Sequence, residues 1–249
     1  MLETQMDLLQ ATLEQWAGRK MPAELRKKIE CIAVEEHWKK DSQMIALGEL
    51  PDKIYYICKG LCRSYYIDQK GNDVTRFFIE AGDWCLTEIL ILGEPSDLCV
   101  ETLEDCDFLA FKITDLAVLQ DSEFMKDVYI QALMNNIRYK IRRESMFLMC
   151  SATERYQDFL KQYLGLEQRI TQNQLASYLG ITPTSLSRIR RALRQDRQED
   201  VRSMGGNEFL FLFIFFVTNA IKSITGFAGT MLAMPVSILL LGVEDARCI

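Results

Sequence analysis

One stretch narrows the possible folds more than any other: ITQNQLASYLGITPTSLSRIRRAL, residues 170–193. Thr171 is placed to cap a helix, with Gln174 three residues on as its reciprocal partner. Leu175 and Leu179 give that helix an apolar face. Gly180 supplies the left-handed residue that ends it. Ile181 is suited to plugging the gap that follows. Thr182 caps the next helix, and Pro183 takes its first position, where no amide is required. Two short helices joined by a tight turn make a helix-turn-helix. At about 100° per residue, Leu186, Ile189 and Leu193 cluster on one side of the second helix, and Thr184, Ser187, Arg188 and Arg191 on the other. Threonine, serine and arginine on an outward face can read base edges and grip phosphates, and the two-pronged guanidinium of Arg188 matches guanine. The segment therefore predicts contact with double-stranded DNA.

The charge distribution agrees. The whole chain carries −6, yet between Arg138 and Arg194 eleven Lys/Arg face four carboxylates. A local basic surplus on an acidic protein is an electrostatic footprint for a polyanion. The opening MLETQMDLLQ lacks a basic segment followed by an apolar core, so no secretory signal is expected and the expected location is cytoplasmic. Eight cysteines (31, 58, 62, 85, 99, 106, 150 and 248) include no C-x-x-C pair, which predicts reduced, mostly buried thiols rather than a metal or redox centre. One histidine, His37, is read as structural. With no phosphate loop and no nucleophile elbow, neither enzyme activity nor a cofactor is expected.

The rest of the chain changes character twice. Residues 1–35 read as helical, with Leu25, Ile29 and Ile32 on one face. From 40 to 112, short runs such as KIYYICKG, CRSYYID, VTRFFIE and LCVETL alternate with turn signals, among them QKGND, and predict an antiparallel roll or barrel. A long helix follows, roughly 122–149. Its narrow stripe of Ile130, Met134, Ile137, Ile141 and Leu148, interrupted at Ser145, predicts a helix–helix dimer interface.

With these pieces in order, residues 1–194 resemble the Crp/Fnr type of transcription regulator. The resemblance rests on LPDKIYYICKGLCRSYYIDQKGNDVTRFFIEAGDW, then the long helix, then the segment quoted first. It implies an α+β chain: a cyclic-nucleotide-binding-type β-roll with N-terminal helices (1–114), a dimerisation helix (115–149) and a helix-turn-helix domain (150–194). It also implies a homodimer. By the family's motif, Thr184 and Arg188 fall at base-reading positions, and Thr171 and Gln172 near expected phosphate contacts. The full set of candidate DNA-binding residues is Thr171, Gln172, Thr182, Thr184, Ser185, Ser187, Arg188 and Arg191.

The sequence departs from the family at three places. Members that bind cyclic nucleotides hold the phosphate with an Arg-Ser/Thr-Ala stretch. Here EILILGEPSDLCVETL has no arginine, and Ser96-Asp97 stands there instead. An aspartate repels a phosphate, so binding of cyclic AMP in the usual way is not expected, and the effector is left unassigned. Oxygen-sensing relatives carry an N-terminal cysteine cluster, whereas only Cys31 is N-terminal here. After the recognition helix the chain runs into DRQEDVRSMGG, with no alternating pattern for a wing hairpin.

The last segment is of another kind. FLFLFIFFVTNAI and SITGFAGTMLAMPVSILLLGV are separated only by Lys222, giving 209–243 a single charge. About 20 apolar residues suffice to cross a bilayer. The sequence thus predicts a linker (195–207), then a transmembrane-like tail (208–249) and possible membrane association through 209–243. TNAIKSITGFAGTMLAMPVSILLLG resembles the first segment of TauE/SafE sulfite-exporter-type permeases, which implies a regulator joined to a truncated permease. The alternative implication is a membrane-tethered regulator or a transporter remnant.

Overall fold

The computed structural model describes residues 2–87 and 93–195. Two helices open the chain, α1 (Leu2–Ala17) and α2 (Ala23–Ile32), where the sequence predicted helix through 35. Eight strands follow: β1 (Val34–Trp38), β2 (Gln43–Ile45), β3 (Lys53–Lys59), β4 (Leu61–Ile67), β5 (Asp73–Glu80), β6 (Trp84–Cys85), β7 (Cys99–Thr102) and β8 (Cys106–Lys112). A 3₁₀ segment, Ile113–Leu119, leads to α3 (Glu123–Met149), α4 (Ala152–Gln162), α5 (Gln172–Leu179) and a last helix, α6, over 183–195.

The strands form two antiparallel four-stranded sheets, ordered β1-β8-β3-β6 and β2-β7-β4-β5. β3 and β8 read as nearly continuous apolar runs because both their faces are covered. Tyr55, Ile57, Phe108 and Ala110 point into the space between the sheets, with Met44, Cys62, Ile79 and Val100. Their neighbours Ile54, Tyr56, Leu109 and Phe111 point outward and are buried under Leu9 and Leu13 of α1, Leu25 and Ile29 of α2, and Phe124 and Val128 of α3. The N-terminal helices are thus a lid on the outer face of the first sheet, and that face holds a second core.

β1 departs from the sequence expectation, which began the strands at 40. VEEHW has only one strongly apolar residue facing the core, because it is an edge strand paired solely with β8. Its polar residues are usefully placed there: His37 Nδ1 lies 2.7 Å from Asp107 Oδ1 and Lys53 Nζ is 2.7 Å from Glu36 Oε1. The β4–β5 hairpin turns where QKGND predicted. Asp68 Oδ1 accepts from the Lys70 and Asn72 amides at 2.8 and 2.9 Å, and Gly71 takes φ +81. Gly60, between β3 and β4, is required twice over. Its φ is +107, and a Cβ there would collide with Cys106 Sγ and lie 2.9 Å from Asp105 O.

Among the described residues seven cysteines are free thiols, and Cys62, Cys85, Cys99 and Cys106 are buried. No helix among the described residues is long and apolar enough to cross a membrane. The predicted linker, wing region and transmembrane-like tail at 196–249 lie outside the described residues.

Candidate nucleic-acid interface

The helix-turn-helix forms as its residues dictate. Thr171 Oγ1 accepts the Gln174 amide at 3.2 Å, and Gln174 Oε1 accepts the Thr171 amide at 2.9 Å, a complete capping box. At the other end of α5, Gly180 sits at φ 67, ψ 36, and the Ile181 amide returns to Ala176 O at 3.0 Å. That six-to-one bond closes the left-handed helix terminus. Thr182 Oγ1 then accepts the Ser185 amide at 3.1 Å, and the two hydroxyls lie 2.9 Å apart. Gln172 Nε2 donates to Pro183 O at 2.7 Å, tying the start of α5 to the start of α6. Leu175, Leu179 and Leu186 are fully buried between the helices. Ile181 is only half-buried.

These bonds sort the eight candidate residues. Thr171, Gln172 and Thr182 are exposed, and Ser185 half-buried, but all four are engaged in the caps and the inter-helix tie. Thr184, Ser187, Arg188 and Arg191 are exposed along one continuous helix. Buried Leu186 and half-buried Ile189 and Leu193 interleave with them, as the helical period requires.

Part of the basic surplus is taken up by partners within the chain. Arg142 pairs with Asp158 at 2.5 Å. Arg143 donates to Tyr178 O at 2.6 Å with its guanidinium 3.9 Å from the Tyr178 ring centroid. Arg155 donates to Leu179 O at 3.1 Å and Cys150 O at 2.7 Å. Arg143 and Arg155 thus place positive charge on the last carbonyls of α5, where the helix dipole is negative. Arg169, just before α5, reaches further. It holds Glu104 with both prongs at 2.8 and 2.7 Å, Glu80 at 2.7 Å and Gly60 O at 3.3 Å. Its hydrogen bond holds the Glu104 carboxyl below the usual carboxylate range.

Sequence reasoning missed this seat. The α4–α5 region rests on the outer face of the β2-β7-β4-β5 sheet. Phe78 packs with Phe159, Tyr163 and Tyr178 at ring-centroid distances of 6.2, 6.3 and 5.5 Å. Ser177 Oγ accepts the Thr75 amide at 2.9 Å and donates to Asp73 O at 3.0 Å. The only hint in the sequence is Phe77-Phe78, two successive aromatics on a strand, which demand two covered faces. Phe77 packs on Tyr139 of α3 at 5.8 Å, on the opposite side.

α3 buries Phe124 and Val128 near its start and leaves the predicted stripe uncovered. Ile130, Met134, Ile137, Ile141 and Leu148 are 55, 44, 55, 60 and 77% exposed. In the roll, Ser96 is fixed by the Gly48 amide and Glu49 carbonyl at 2.7 and 2.8 Å, and Asp97 is exposed. Arg63, buried on β4, is taken up by Asp73 at 2.5 Å and Glu101 at 2.7 Å.

No protein-family model matches the chain, and no curated protein matches it. Solved structures do. FixK2 from Bradyrhizobium japonicum matches at TM-score 0.58 and 20% identity, over 66% of this chain and 86% of that one. The c-di-GMP-responsive global regulator CLP from Xanthomonas campestris matches at 0.58 and 14%, over 70 and 93%. A CooA mutant from Carboxydothermus hydrogenoformans matches at 0.56 and 15%, over 74 and 84%. The similarity to permeases has no counterpart in these matches. In fold, the chain is similar to Crp/Fnr-type transcription regulators: an α+β structure with a cyclic-nucleotide-binding-type β-roll.

Proposed function

We propose that this protein is a dimeric, sequence-specific DNA-binding transcription regulator. The observation that carries this reading is α6: Thr184, Ser187, Arg188 and Arg191 exposed on a helix whose start is fixed by Thr182, Pro183 and Gln172. Residues 1–114 act as the sensor roll, 115–149 as the dimerisation helix and 150–194 as the DNA-binding domain. Thr184 and Arg188 read bases, Ser187 and Arg191 grip phosphates, and Thr171, Gln172, Thr182 and Ser185 hold the helices in register. Ile130, Met134, Ile137, Ile141 and Leu148 form the seam with a second copy. A symmetric dimer requires a two-fold operator with half-sites about one helical turn apart. Selection of the full chain from a randomised duplex pool should converge on such a sequence. Failure to enrich any sequence overturns the reading.

The effector is not cyclic AMP held in the usual way. No Lys or Arg occurs from 77 to 111, and Arg63 is already paired with two carboxylates. Calorimetric titration with cyclic AMP should show no saturable heat; micromolar binding contradicts this. A second reading, attachment to a membrane through 209–243 with or without a permease origin, is favoured by the single charge in that stretch. It predicts that full-length protein remains with alkali-washed membranes, and recovery in the supernatant refutes it.

A further inference from the structure

Cys62 on β4 and Cys106 on β8 stand 44 positions apart in the sequence, yet their sulfurs lie 3.9 Å from each other in the core between the two sheets. The chain segments come close together at this end of the roll. The Leu103 amide donates to Leu61 O at 2.8 Å, and a Cβ on Gly60 would lie 3.0 Å from Cys106 Cα. Both thiols are fully buried, but the cover over Cys106 is thin. The half-buried Gly60, which has no side chain, packs directly on the Cys106 sulfur. The same backbone carries the seat of the helix-turn-helix. Cys106 Sγ lies 3.5 Å from Leu61 O and 3.2 Å from Glu104 O, and Arg169 holds Gly60 O and the Glu104 carboxylate. The two thiols differ in acidity. The hydrogen bond from Cys62 lowers the Cys106 thiol, whereas that bond and burial push the Cys62 thiol up. Cys106 is therefore the sulfur that meets an oxidant first.

We propose that Cys62 and Cys106 are a peroxide-sensitive thiol pair whose disulfide loosens the attachment of Arg169 to the roll. The Cys106 sulfur attacks one oxygen of hydrogen peroxide and the O–O bond breaks, giving a sulfenic acid and one water. The Cys62 sulfur then attacks the Cys106 sulfur. An S–S bond forms, the S–O bond breaks and a second water leaves. The two thiols together lose two electrons and two protons, and the peroxide is reduced to two waters. To bond, the sulfurs must close from 3.9 Å to about 2.05 Å. Cys106 then withdraws from Leu61 O and Glu104 O, and the backbone at Gly60 and Glu104 that Arg169 grips is displaced. Burial selects the oxidant: a small uncharged peroxide reaches the pair, and a bulky charged disulfide does not.

The test treats the folded full chain with hydrogen peroxide, alkylates the remaining thiols and maps the digest by mass spectrometry. A cross-linked pair of peptides carrying Cys62 and Cys106 should appear, and should vanish on reduction. Cys62→Ala removes the second thiol and should leave Cys106 as a sulfenic acid that dimedone labels. The cross-link in the parent decides the matter even where Cys62→Ala fails to fold. In the oxidised parent, amides of residues 170–180 should exchange at least about threefold faster, as a loosened unit opens more often, with those of α1 unchanged. The proposal is overturned if peroxide oxidises only the exposed Cys31 and half-buried Cys150 and leaves Cys62 and Cys106 as thiols. It is equally overturned if the cross-link forms without any change in exchange over 170–180, or if glutathione disulfide forms it as readily as peroxide. Neither readout involves DNA, so the test is independent of the function proposed above.

Discussion

Arg169 shows how little of a side chain's duty is visible in its own neighbourhood of sequence. Counted with the basic surplus, it belonged to a DNA-facing patch. In the fold it spans to Glu104 and Glu80, 65 and 89 residues away, and fastens the start of the helix-turn-helix to the roll. Arg169→Ala should lower stability by about 1 kcal/mol, the scale of a partly exposed but networked ion pair, read as a fall in Tm. No change in Tm would show that the aromatic seat under Phe78 suffices alone. The pH response has a definite sign. Glu104 titrates below its unfolded value because Arg169 bonds its charged form, so its contribution is present above the unfolded carboxylate pKa and lost as pH falls through the folded one. The parent should therefore lose more Tm than Arg169→Ala on acidification below the ordinary carboxylate range; parallel curves would contradict this. Gly60→Ala should be more harmful, by about 1–3 kcal/mol, since it adds strain at φ +107 to a collision with Cys106.

Elements were legible in proportion to how local their causes are. The α5–turn–α6 unit could be read because cap, capping-box partner, left-handed glycine and N1 proline all act within a few residues. α3 was legible from its apolar stripe and starts at the Ser122 cap, whose Oγ accepts the Met125 amide at 3.4 Å. β1 was not, because an edge strand with polar faces gives no alternation to count. The seating of α5 on β5 was not either, since Ser177 and Thr75 meet 102 residues apart. What remains testable at this scale is the α3 stripe, whose five residues are all exposed in one chain. A double substitution, Ile137→Glu with Ile141→Glu, places like charges across a two-fold seam. Sedimentation equilibrium should show a dimer converted to monomer with unchanged helix content. A dimer that survives both charges would move the interface elsewhere.

At the scale of the whole molecule, an acidic chain is proposed to bind a polyanion. That works only if the basic residues left over from internal pairing are concentrated where DNA approaches. Arg142, Arg143, Arg155 and Arg169 of the 138–194 segment are among those committed to carbonyls and carboxylates of the same chain. Binding therefore depends on few phosphate contacts, and affinity should fall with salt with a shallower slope than the raw charge count implies. The measurement that tests the account most directly is a competition gel-shift. Full-length protein and Arg188→Ala are compared on the selected operator and on a scrambled duplex across a salt series. Both proteins should bind more weakly as salt rises, and Arg188→Ala should lose about 1–3 kcal/mol on the operator but far less on the scrambled duplex. An equal loss on both sequences, or affinity indifferent to salt, would contradict the claim that α6 reads DNA.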